Sequence, residues 1–559
     1  MNKALALFLV PALAQAASPA SSSPVSPAEK TAAQAITENV IRGHVRFLAS
    51  DLLEGRAPAS RGDVLAREYI QAQMEALGLE PGAPGGGWIQ KVPLVGIVGN
   101  VPQKTTLSKG SQKVDLTRID DYVAFSGTQK PQSSIPGAEV VFVGYGIVAP
   151  EFQWDDYKDV DVKGKVLLMM NNDPEDDPKL FAGKTRLWYG RWDYKYMIAA
   201  KKGAVGAFLI HTQPSAGYPW QVVTSSWSRE RFELPYEGEP RVEIKGWFTE
   251  DASKKIAALG GQDLDRLRSA AVKRDFRPVP LGVTFSMAIE NKVQTKDSAN
   301  VIGRIPGSDS RLAREAVVYT AHHDHLGMKT DPKPGEDAIY NGALDNASGV
   351  SAMLAIAKAF TELPKHPRRT VYFASVTAEE QGLLGSEYFA KHPPIEAGRI
   401  AADINIDGVS IFGRTRDLTM VGLGKSSLDP IIVSLAKMQG RVVKPDQFPD
   451  RGHFYRSDQF NLAKVGVPAA YFDSGTEVIG KPDGWGKQRI EEWEEKDYHQ
   501  PSDELNDKWD LAGAVEDVRL DFWLGVKVAN ADRMPEWNRG DEFEAARRKA
   551  LAAVGAGQP

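Results

Sequence analysis

Apolar runs and helically spaced apolar residues alternate along the second half of the chain. Strands are predicted over residues 316–321, 370–376, 401–406 and 467–472. Helices are predicted over residues 348–362, 383–391 and 511–529. The first helix is the clearest of these elements, because Val350, Leu354, Ala357 and Phe360 fall on one face. Such alternation is typical of an α/β fold whose mostly parallel sheet carries helices on its faces.

The first half of the chain has two further patterns. Helical spacing predicts two early helices in "ITENVIRGHVRFLASDLLEG" and "GDVLAREYIQAQMEALGL". Residues 126–278 differ, since "AEVVFVGYGI", "GKVLLMMNN" and "VGAFLIHT" are β-rich runs and "WDYKYMIAAKKGA" between them is helical. We therefore expect a second domain over 126–278, inserted between 33–125 and 279–533, with 534–559 as a C-terminal tail.

The N-terminus "MNKALALFLVPALAQAASPASSS" has the features of a secretory signal peptide. One cation, Lys3, precedes an apolar run that ends at Leu13, and Ala14-Gln15-Ala16 supplies the small residues of a cleavage site. A membrane anchor would need about 20 apolar residues, which this run lacks. We expect cleavage after Ala16, hence residues 1–16 as signal peptide, a disordered Ser/Pro/Ala linker over 17–32, and a secreted or periplasmic protein.

Composition narrows the possible functions. The chain has 559 residues, enough for two or more folding units. Its formal net charge of -5 leaves no broad basic field, so neither nucleic acid nor a membrane surface is an expected partner. The chain contains no cysteine, so disulfides are excluded and a metal site would have to use His, Asp and Glu side chains.

Five polar clusters stand out in the α/β half. They are "AHHDH" at 321–325, "GALDNASG" at 342–349, "TAEEQG" at 377–382, "INIDG" at 404–408 and "YHQPSDE" at 498–504. Each cluster alone has an ordinary explanation, such as a helix cap, a favourable first helical turn or a plain turn. However, three of them directly follow predicted strands, and ligands of open α/β sheets bind beyond the carboxyl ends of the strands. Together they predict one crevice with metal-binding or catalytic chemistry.

In this order and with this spacing, the five clusters resemble the M28 family of zinc-dependent exopeptidases. The stretch "EVVFVGYGI…DYKDVDVKGKVLLM…KYMIAAKKGAVGAFLI" is similar to the protease-associated domain often inserted in such enzymes. The resemblance covers about residues 33–530. It implies a mixed, mostly parallel sheet flanked by helices, of the zinc exopeptidase type, with a β-rich protease-associated domain inserted at 126–278.

The resemblance also implies a set of metal ligands. His322 and Asp407 would bind one ion, Glu380 and His499 would bind the other, and Asp345 would bridge the two. Two Zn²⁺ ions are expected, with Co²⁺ or Mn²⁺ able to substitute in nitrogen and oxygen sites of this kind. Such a ligand count leaves coordination positions open for water and substrate, as a catalytic site requires.

Three further residues receive catalytic roles from the resemblance. Glu379 would be the general base, Asp324 would orient the imidazole of His322, and Tyr498 would donate a hydrogen bond to the oxyanion. A buried structural tyrosine is the alternative for Tyr498. His323 and His325 receive no ligand role, although His325 is a candidate for lining the site.

The predicted function is hydrolysis of N-terminal residues from peptides that carry a free amino group. Two alternatives stay open: a carboxypeptidase of the same family that acts on acidic peptides, and a binding protein that has lost catalysis. The complete ligand set and Glu379 weigh against the binding protein, and the bridging arrangement weighs against a single-metal glutaminyl cyclase. The sequence leaves the preferred N-terminal side chain and the oligomeric state open.

Overall fold

The computed structural model describes residues 23–177, 179–227 and 229–555. Its helices are α1 Pro27–Ala32, α2 Glu38–Leu48, α3 Arg61–Ala76, α4 Trp192–Lys201, α5 Gln213–Ala216, α6 Trp220–Trp227, α7 Glu250–Leu259, α8 Leu264–Ala271, α9 Gly349–Thr361, α10 Leu384–Lys391, α11 Asp429–Met438, α12 Gln459–Lys464, α13 Trp485–Lys496, α14 Ala512–Asn530 and α15 Glu544–Ala553.

The strands are β1 Glu80–Pro81, β2 Ile89–Asn100, β3 Lys104–Lys109, β4 Gln112–Thr117, β5 Tyr122–Ser126, β6 Gln132–Phe142, β7 Val148–Ala149, β8 Trp154–Asp155, β9 Val166–Met170, β10 Gly206–His211, β11 Arg231–Glu233, β12 Ile244–Thr249, β13 Val279–Ile305, β14 Ala316–His322, β15 Gly327–Met328, β16 Ile339–Tyr340, β17 Thr370–Val376, β18 Ile400–Asn405, β19 Asp417–Val421, β20 Val442–Pro445 and β21 Ala469–Asp473. The strands and helices predicted for the second half lie within two residues of these bounds.

The sheet of the second half has four parallel strands at its centre, in the order β21, β18, β14 and β17. Antiparallel neighbours extend it on both sides, with β13 beside β17 and β19 beside β21. This confirms the predicted mixed, mostly parallel sheet flanked by helices. The central strands are buried on both faces, which is why they read as continuous apolar runs in the sequence.

Side chains of β14 point alternately into two hydrophobic layers, as the two-residue period of a strand requires. Val317 and Tyr319 join the core that contains the buried faces of α9 and α14. Val318 packs on the opposite side of the sheet with Phe389 of α10 and Leu462 of α12. Because helices cover both faces, the polar groups that follow the strands are held at one edge of a rigid scaffold.

Strand β13 joins this sheet to the strands of the first half. Its C-terminal part pairs antiparallel with β17, and its earlier part pairs with β2 and β6. Around β9, β10 and β12, which are parallel, a separate hydrophobic core runs from Val95 to Ile289. The predicted domain limits, and the predicted resemblance of residues 126–278 to a protease-associated domain, stay predictions.

The segment before Ala33 differs from the predicted disordered linker, because α1 lies within it. Ser26 and Glu29 form a reciprocal capping box at the start of α1, and Pro27 occupies its first turn. The Lys527 ammonium lies 3.0 Å from the Glu29 carboxylate, and Ala32 is buried in the core. The segment is therefore helical because α14 gives its residues a surface to pack on.

Two other predictions for the termini can be compared only in part. The predicted signal peptide, residues 1–16, and the linker up to residue 22 lie outside the described residues. In the predicted tail, Arg547 of α15 is buried and donates to the main-chain oxygen of Ile400 at 2.8 Å. Within the described ranges, no helix combines the length and the apolar character needed to cross a bilayer.

Candidate metal centre

The five polar clusters meet at one edge of the sheet. His322 is the last residue of β14, Asp407 follows the end of β18 by two residues, and Glu379 follows the end of β17 by three. Parallel strands end at the same edge, so their trailing residues share one crevice. The loop before α9 brings in Asp345, and the segment after α13 brings in His499.

His322 anchors the first cluster of potential ligands. Its Nε2 atom lies 3.2 Å from Oδ1 of Asp407 and 3.3 Å from Oδ1 of Asp345. Ligand atoms arranged tetrahedrally around a zinc ion at about 2.0–2.1 Å are about 3.3 Å from one another. The spacing of these three atoms therefore fits ligands that share one ion.

His499 anchors the second cluster. Its Nε2 atom lies 3.0 Å from Oε2 of Glu380 and 3.2 Å from Oδ2 of Asp345. Asp345 thus presents one carboxylate oxygen to His322 and the other to His499. This division of one carboxylate between two histidines is the geometry expected of a bridging ligand.

Several ligand atoms of the second cluster are buried without a hydrogen bond. Nε2 of His499 and Oε1 of Glu380 have no hydrogen-bond partner among the described residues, although other polar atoms lie close by. Buried polar groups normally have hydrogen-bond partners, so these two atoms are available to bind another group. A divalent ion fits that requirement, and imidazole with carboxylate is a donor set that suits zinc.

Electrostatics in the second cluster also favour a bound cation. Burial acts to lower the pKa of His499, but the Glu380 and Asp345 carboxylates outweigh burial and raise that pKa to about 9. The carboxylates around His499 thus stabilise a positive charge at this position.

The structure adds His325 to the second cluster. Its Nδ1 atom lies 2.6 Å from Oε1 of Glu380 without the geometry of a hydrogen bond, and both of its ring nitrogens lack partners among the described residues. Among the described residues, His325, Asp345 and Glu380 form one of the two groups able to hold an ion. His325 was predicted to have no ligand role, because the direction of its ring depends on tertiary packing.

Asp324 and His323 have distinct surroundings. The Asp324 carboxylate accepts hydrogen bonds from the main-chain nitrogens of Glu379 at 3.0 Å and Glu380 at 3.3 Å. Its Oδ1 lies 3.7 Å from Nδ1 of His322, whereas its main-chain oxygen lies 3.2 Å from the same atom. Asp324 therefore fixes the backbone of the two glutamates and also lies beside His322. His323 is fully buried, with Nδ1 3.0 Å from the Ser375 hydroxyl.

Two residues hold the loop of Asp345 in place. The buried Asp503 carboxylate accepts a hydrogen bond from the main-chain nitrogen of Asp345 at 3.0 Å. The fully buried Arg56 donates to the main-chain oxygens of Gly342 at 2.9 Å and of His323 at 2.8 Å. Gly342 has φ +56°, and a Cβ there would lie 2.5 Å from the ring of His325, so only glycine fits.

Glu379 and Tyr498 face two cavities that meet at the clusters. Burial raises the pKa of Glu379 well above its usual value, and the neighbouring Glu380 carboxylate adds to the rise. The Tyr498 hydroxyl accepts a hydrogen bond from Nη2 of Arg456 at 3.3 Å, and its ring centroid lies 3.9 Å from that of His499. Because the hydroxyl accepts a hydrogen bond from Arg456, its own proton is free to be donated to another acceptor.

Ser226, at the end of α6, contacts a predicted metal ligand from the first half of the chain. Its hydroxyl oxygen lies 3.2 Å from Nδ1 of His499. A histidine that binds a metal through Nε2 carries its proton on Nδ1, and an acceptor there fixes the tautomer and the direction of the ring. A residue of the first half thus contributes to the candidate metal centre.

We expect Ser226→Ala to weaken metal binding about 10–100-fold, the usual effect of removing a group that orients a ligand. Titration of the apoprotein with zinc against a competing chelator measures this change. Ser226→Thr, which keeps the hydroxyl, should restore most of the affinity. Ser225→Ala is the matched control, since the Ser225 hydroxyl donates to the main-chain oxygen of Val222 in the same helix. Equal affinity of Ser226→Ala and Ser225→Ala would contradict the role given to Ser226.

All five predicted ligands fall within residues 300–523, which match the family model "Peptidase family M28". This part of the chain belongs to peptidase family M28. We call residues 300–523 the M28 domain, and its family is the one that the sequence clusters predicted.

Relatives of this chain include an aminopeptidase, NAALADL1 of Mus musculus, which is 30% identical over 163 residues, 28% of this chain and 19% of that protein. A probable glutamate carboxypeptidase, AMP1 of Arabidopsis thaliana, is 32% identical over 158 residues, 27% of this chain and 20% of that protein. The chain thus spans about a fifth of the length of these curated relatives.

Over most of its length the chain is similar in structure to a solved aminopeptidase. The aminopeptidase from Aneurinibacillus sp. strain AM-1 superposes with a TM-score of 0.52 at 19% identity, over 90% of this chain and 96% of that one. At this identity the likeness supports the fold.

Proposed function

We propose that the protein is a dinuclear zinc aminopeptidase that hydrolyses N-terminal residues from peptides. The observation that carries the proposal is the Asp345 carboxylate, whose two oxygens face His322 and His499 separately at 3.3 and 3.2 Å. With Asp407 and Glu380 completing the two clusters, these residues would hold the ions. Two such ions, when bound, lower the pKa of a water molecule and polarise the scissile carbonyl.

Glu379 is the proposed proton carrier. It lies beside the ligand Glu380 but is not itself a member of either cluster. Its carboxylate would accept a proton from the attacking water, whose oxygen forms the new bond to the carbonyl carbon. Glu379 would then pass that proton to the amine nitrogen as the carbon–nitrogen bond breaks.

Tyr498 is the proposed stabiliser of the oxyanion. Its hydroxyl can donate to an oxygen that gains negative charge while accepting from Arg456. It lines both cavities beside Glu379, so its position serves a reaction at their junction.

The first cavity, which we call the apolar cavity, supports cleavage at the N-terminus of a peptide. Its walls include the apolar side chains of Ile411, Phe412, Phe472 and Trp493, and it reaches Glu379. Such a cavity can bind an apolar N-terminal side chain and remove it from water. The aminopeptidase relative in mouse is consistent with this direction. The Arabidopsis relative, a probable glutamate carboxypeptidase, makes cleavage at the C-terminus the second candidate.

We expect Leu-Ala to be hydrolysed and acetyl-Leu-Ala to be resistant, because acetylation removes the free amine. Release of amino acids, followed by chromatography, measures both. A chelator should abolish hydrolysis, and added zinc should restore it, since activity depends on the bound ions.

The two parts of this experiment test different claims. Full activity in protein shown by elemental analysis to hold no transition metal would refute the metal centre. Efficient hydrolysis of acetylated peptides with loss of activity on chelation would keep the metal centre and favour the carboxypeptidase. Export through the predicted signal peptide belongs to the proposal and is checked by locating the protein after cell fractionation.

A further inference from the structure

The second cavity beside the metal centre is rich in arginine. We call it the arginine cavity and define it by Arg186, Arg191, Arg231, Arg451 and Arg456, all of which line it. Two carboxylates, Glu379 and Glu380, also line it, and both belong to the metal centre described above. Three of the arginines come from residues 186–231 and two from the M28 domain, so the cavity lies where these two parts of the chain meet.

Two of the five arginines are already paired with carboxylates. Nε of Arg191 lies 3.2 Å from Oδ1 of Asp193, and Arg451 forms an ion pair with Glu494. Their charges are therefore largely balanced by the protein itself.

The other three arginines have no such partner. Among the described residues, no carboxylate oxygen forms an ion pair with Arg186, Arg231 or Arg456. Arg231 donates to the main-chain oxygens of Ser226 at 3.2 Å and Gln381 at 3.3 Å. Arg186 likewise donates to main-chain oxygens, and Arg456 donates to the Tyr498 hydroxyl. These contacts supply neutral acceptors. Asp173 is the carboxylate that acts most strongly on Arg186, and Glu233 is the one that acts most strongly on Arg231, but neither forms an ion pair with that arginine, so each offsets the buried charge only in part.

These cations are costly to leave unpaired, because Arg186 and Arg231 are only 6% and 5% exposed. Burial lowers the pKa of Arg231 to about 10, which still leaves the side chain charged at neutral pH. An unpaired buried charge is strongly unfavourable, and a bound anion would relieve that cost. Arginine binds carboxylates especially well, since its planar donors match the two oxygens.

The arginine cavity adjoins the apolar cavity at the reaction centre. Glu379, Tyr498 and Arg456 line both cavities, so the junction between them is the point where Glu379 acts. The apolar cavity reaches Asp345 and Asp407, whereas the arginine cavity reaches Glu380 and His499. A peptide whose N-terminal side chain occupies the apolar cavity would therefore extend its leaving group into the arginine cavity.

We propose that the arginine cavity binds a carboxylate on the leaving group, so that the preferred substrates are short peptides whose carboxylate lies one or two residues beyond the scissile bond. This inference rests on the proposed function, since it takes the apolar cavity as the site of the N-terminal side chain. The carboxylate can be the C-terminus of a dipeptide or an acidic side chain, because both present the same oxygens.

The test compares three substrates of the zinc-loaded, full-length enzyme: Leu-Ala, Leu-Ala-NH₂ and Leu-Glu-NH₂. A charge-assisted hydrogen bond of the usual strength predicts a KM about 10- to 100-fold lower for Leu-Ala than for Leu-Ala-NH₂. If the acidic side chain is the group bound, Leu-Glu-NH₂ shows the lower KM instead. Equal KM values for all three, or a lower KM for Leu-Ala-NH₂, would overturn the inference.

Variants connect the preference to a residue. Arg456→Gln should reduce the ratio of the KM for Leu-Ala-NH₂ to the KM for Leu-Ala about tenfold. Arg456→Lys should keep part of this ratio, because the charge remains. The ratio is independent of a general loss of turnover, which matters because Arg456 contacts Tyr498. Arg451→Gln is the matched control, since Arg451 lines the same cavity but is paired with Glu494, and it should change the ratio less. An unchanged ratio in Arg456→Gln would contradict the assignment.

Salt offers a check that needs no variant. Raising ionic strength should raise the KM of Leu-Ala more than that of Leu-Ala-NH₂, because only the first carries the attracted charge. Failure of the proposed function looks different from failure of this inference. If acetyl-Leu-Glu is hydrolysed and Leu-Ala-NH₂ is not, the proposed cleavage at the N-terminus is wrong, while the preference for a carboxylate stands. If Leu-Ala and Leu-Ala-NH₂ are hydrolysed equally well, cleavage at the N-terminus stands and the arginine cavity does not bind the carboxylate.

Discussion

Glu379→Gln is expected to lower the turnover number by about 10²–10⁴-fold, the usual contribution of a positioned general base. Glutamine keeps the size and polarity of the side chain but cannot accept a proton from water. Metal content should stay near that of the wild type, because Glu379 belongs to neither cluster of potential ligands. The turnover number and the zinc content, measured on the same preparation, test both parts of this expectation.

The neighbouring residue supplies the control. Glu380→Gln replaces an anionic ligand with a neutral amide, so one ion should be bound more weakly and activity should recover in part at high zinc. The backbone of both glutamates is held by Asp324 through their main-chain nitrogens, so either substitution leaves that support intact. Near-normal turnover of Glu379→Gln, or loss of metal from that variant instead of Glu380→Gln, would show that the two roles are assigned the wrong way round.

The central sheet could be predicted because its parallel strands are buried on both faces and read as apolar runs. Strand β13 was not predicted, although a signal exists: Leu281, Val283, Phe285, Met287 and Ile289 are buried at every second position. Helix α1 also has a readable signal, the capping box of Ser26 and Glu29. Its stability, however, depends on packing against α14, which no local pattern reveals.

The convergence of the polar clusters could be predicted for a similar reason, since three of them follow strand ends whose shared edge is set by the fold. The supporting residues could not. Arg56 lies far from the clusters in sequence and acts through main-chain oxygens of their loops, so its residue type carries no motif. Ser226 is one of two adjacent serines in α6, and only the folded chain distinguishes the one that reaches His499. Contacts between distant segments decide these roles.

Asp345→Asn is expected to remove both ions, because Asp345 is shared by the two groups that could hold metal in the described part of the chain. The amide keeps the shape of the side chain but has a single oxygen and no charge, so it cannot serve as an anionic bridge. We expect zinc content to fall from about two ions per chain to below one, and hydrolysis to be lost even with excess zinc. Elemental analysis after gel filtration, with activity measured across a zinc titration, tests this.

Asp407→Asn is the comparison that isolates the bridge, since Asp407 contacts only the first cluster, with Oδ1 3.2 Å from Nε2 of His322. It should weaken one ion and leave the second bound by His499 and Glu380. Both variants keep the buried Asp503, which holds the main chain at position 345, so a general collapse of that loop is not expected. Similar circular dichroism and melting of the two metal-free variants would check this. If Asp345→Asn retains one tightly bound ion while Asp407→Asn loses both, then Asp407 and not Asp345 couples the two sites.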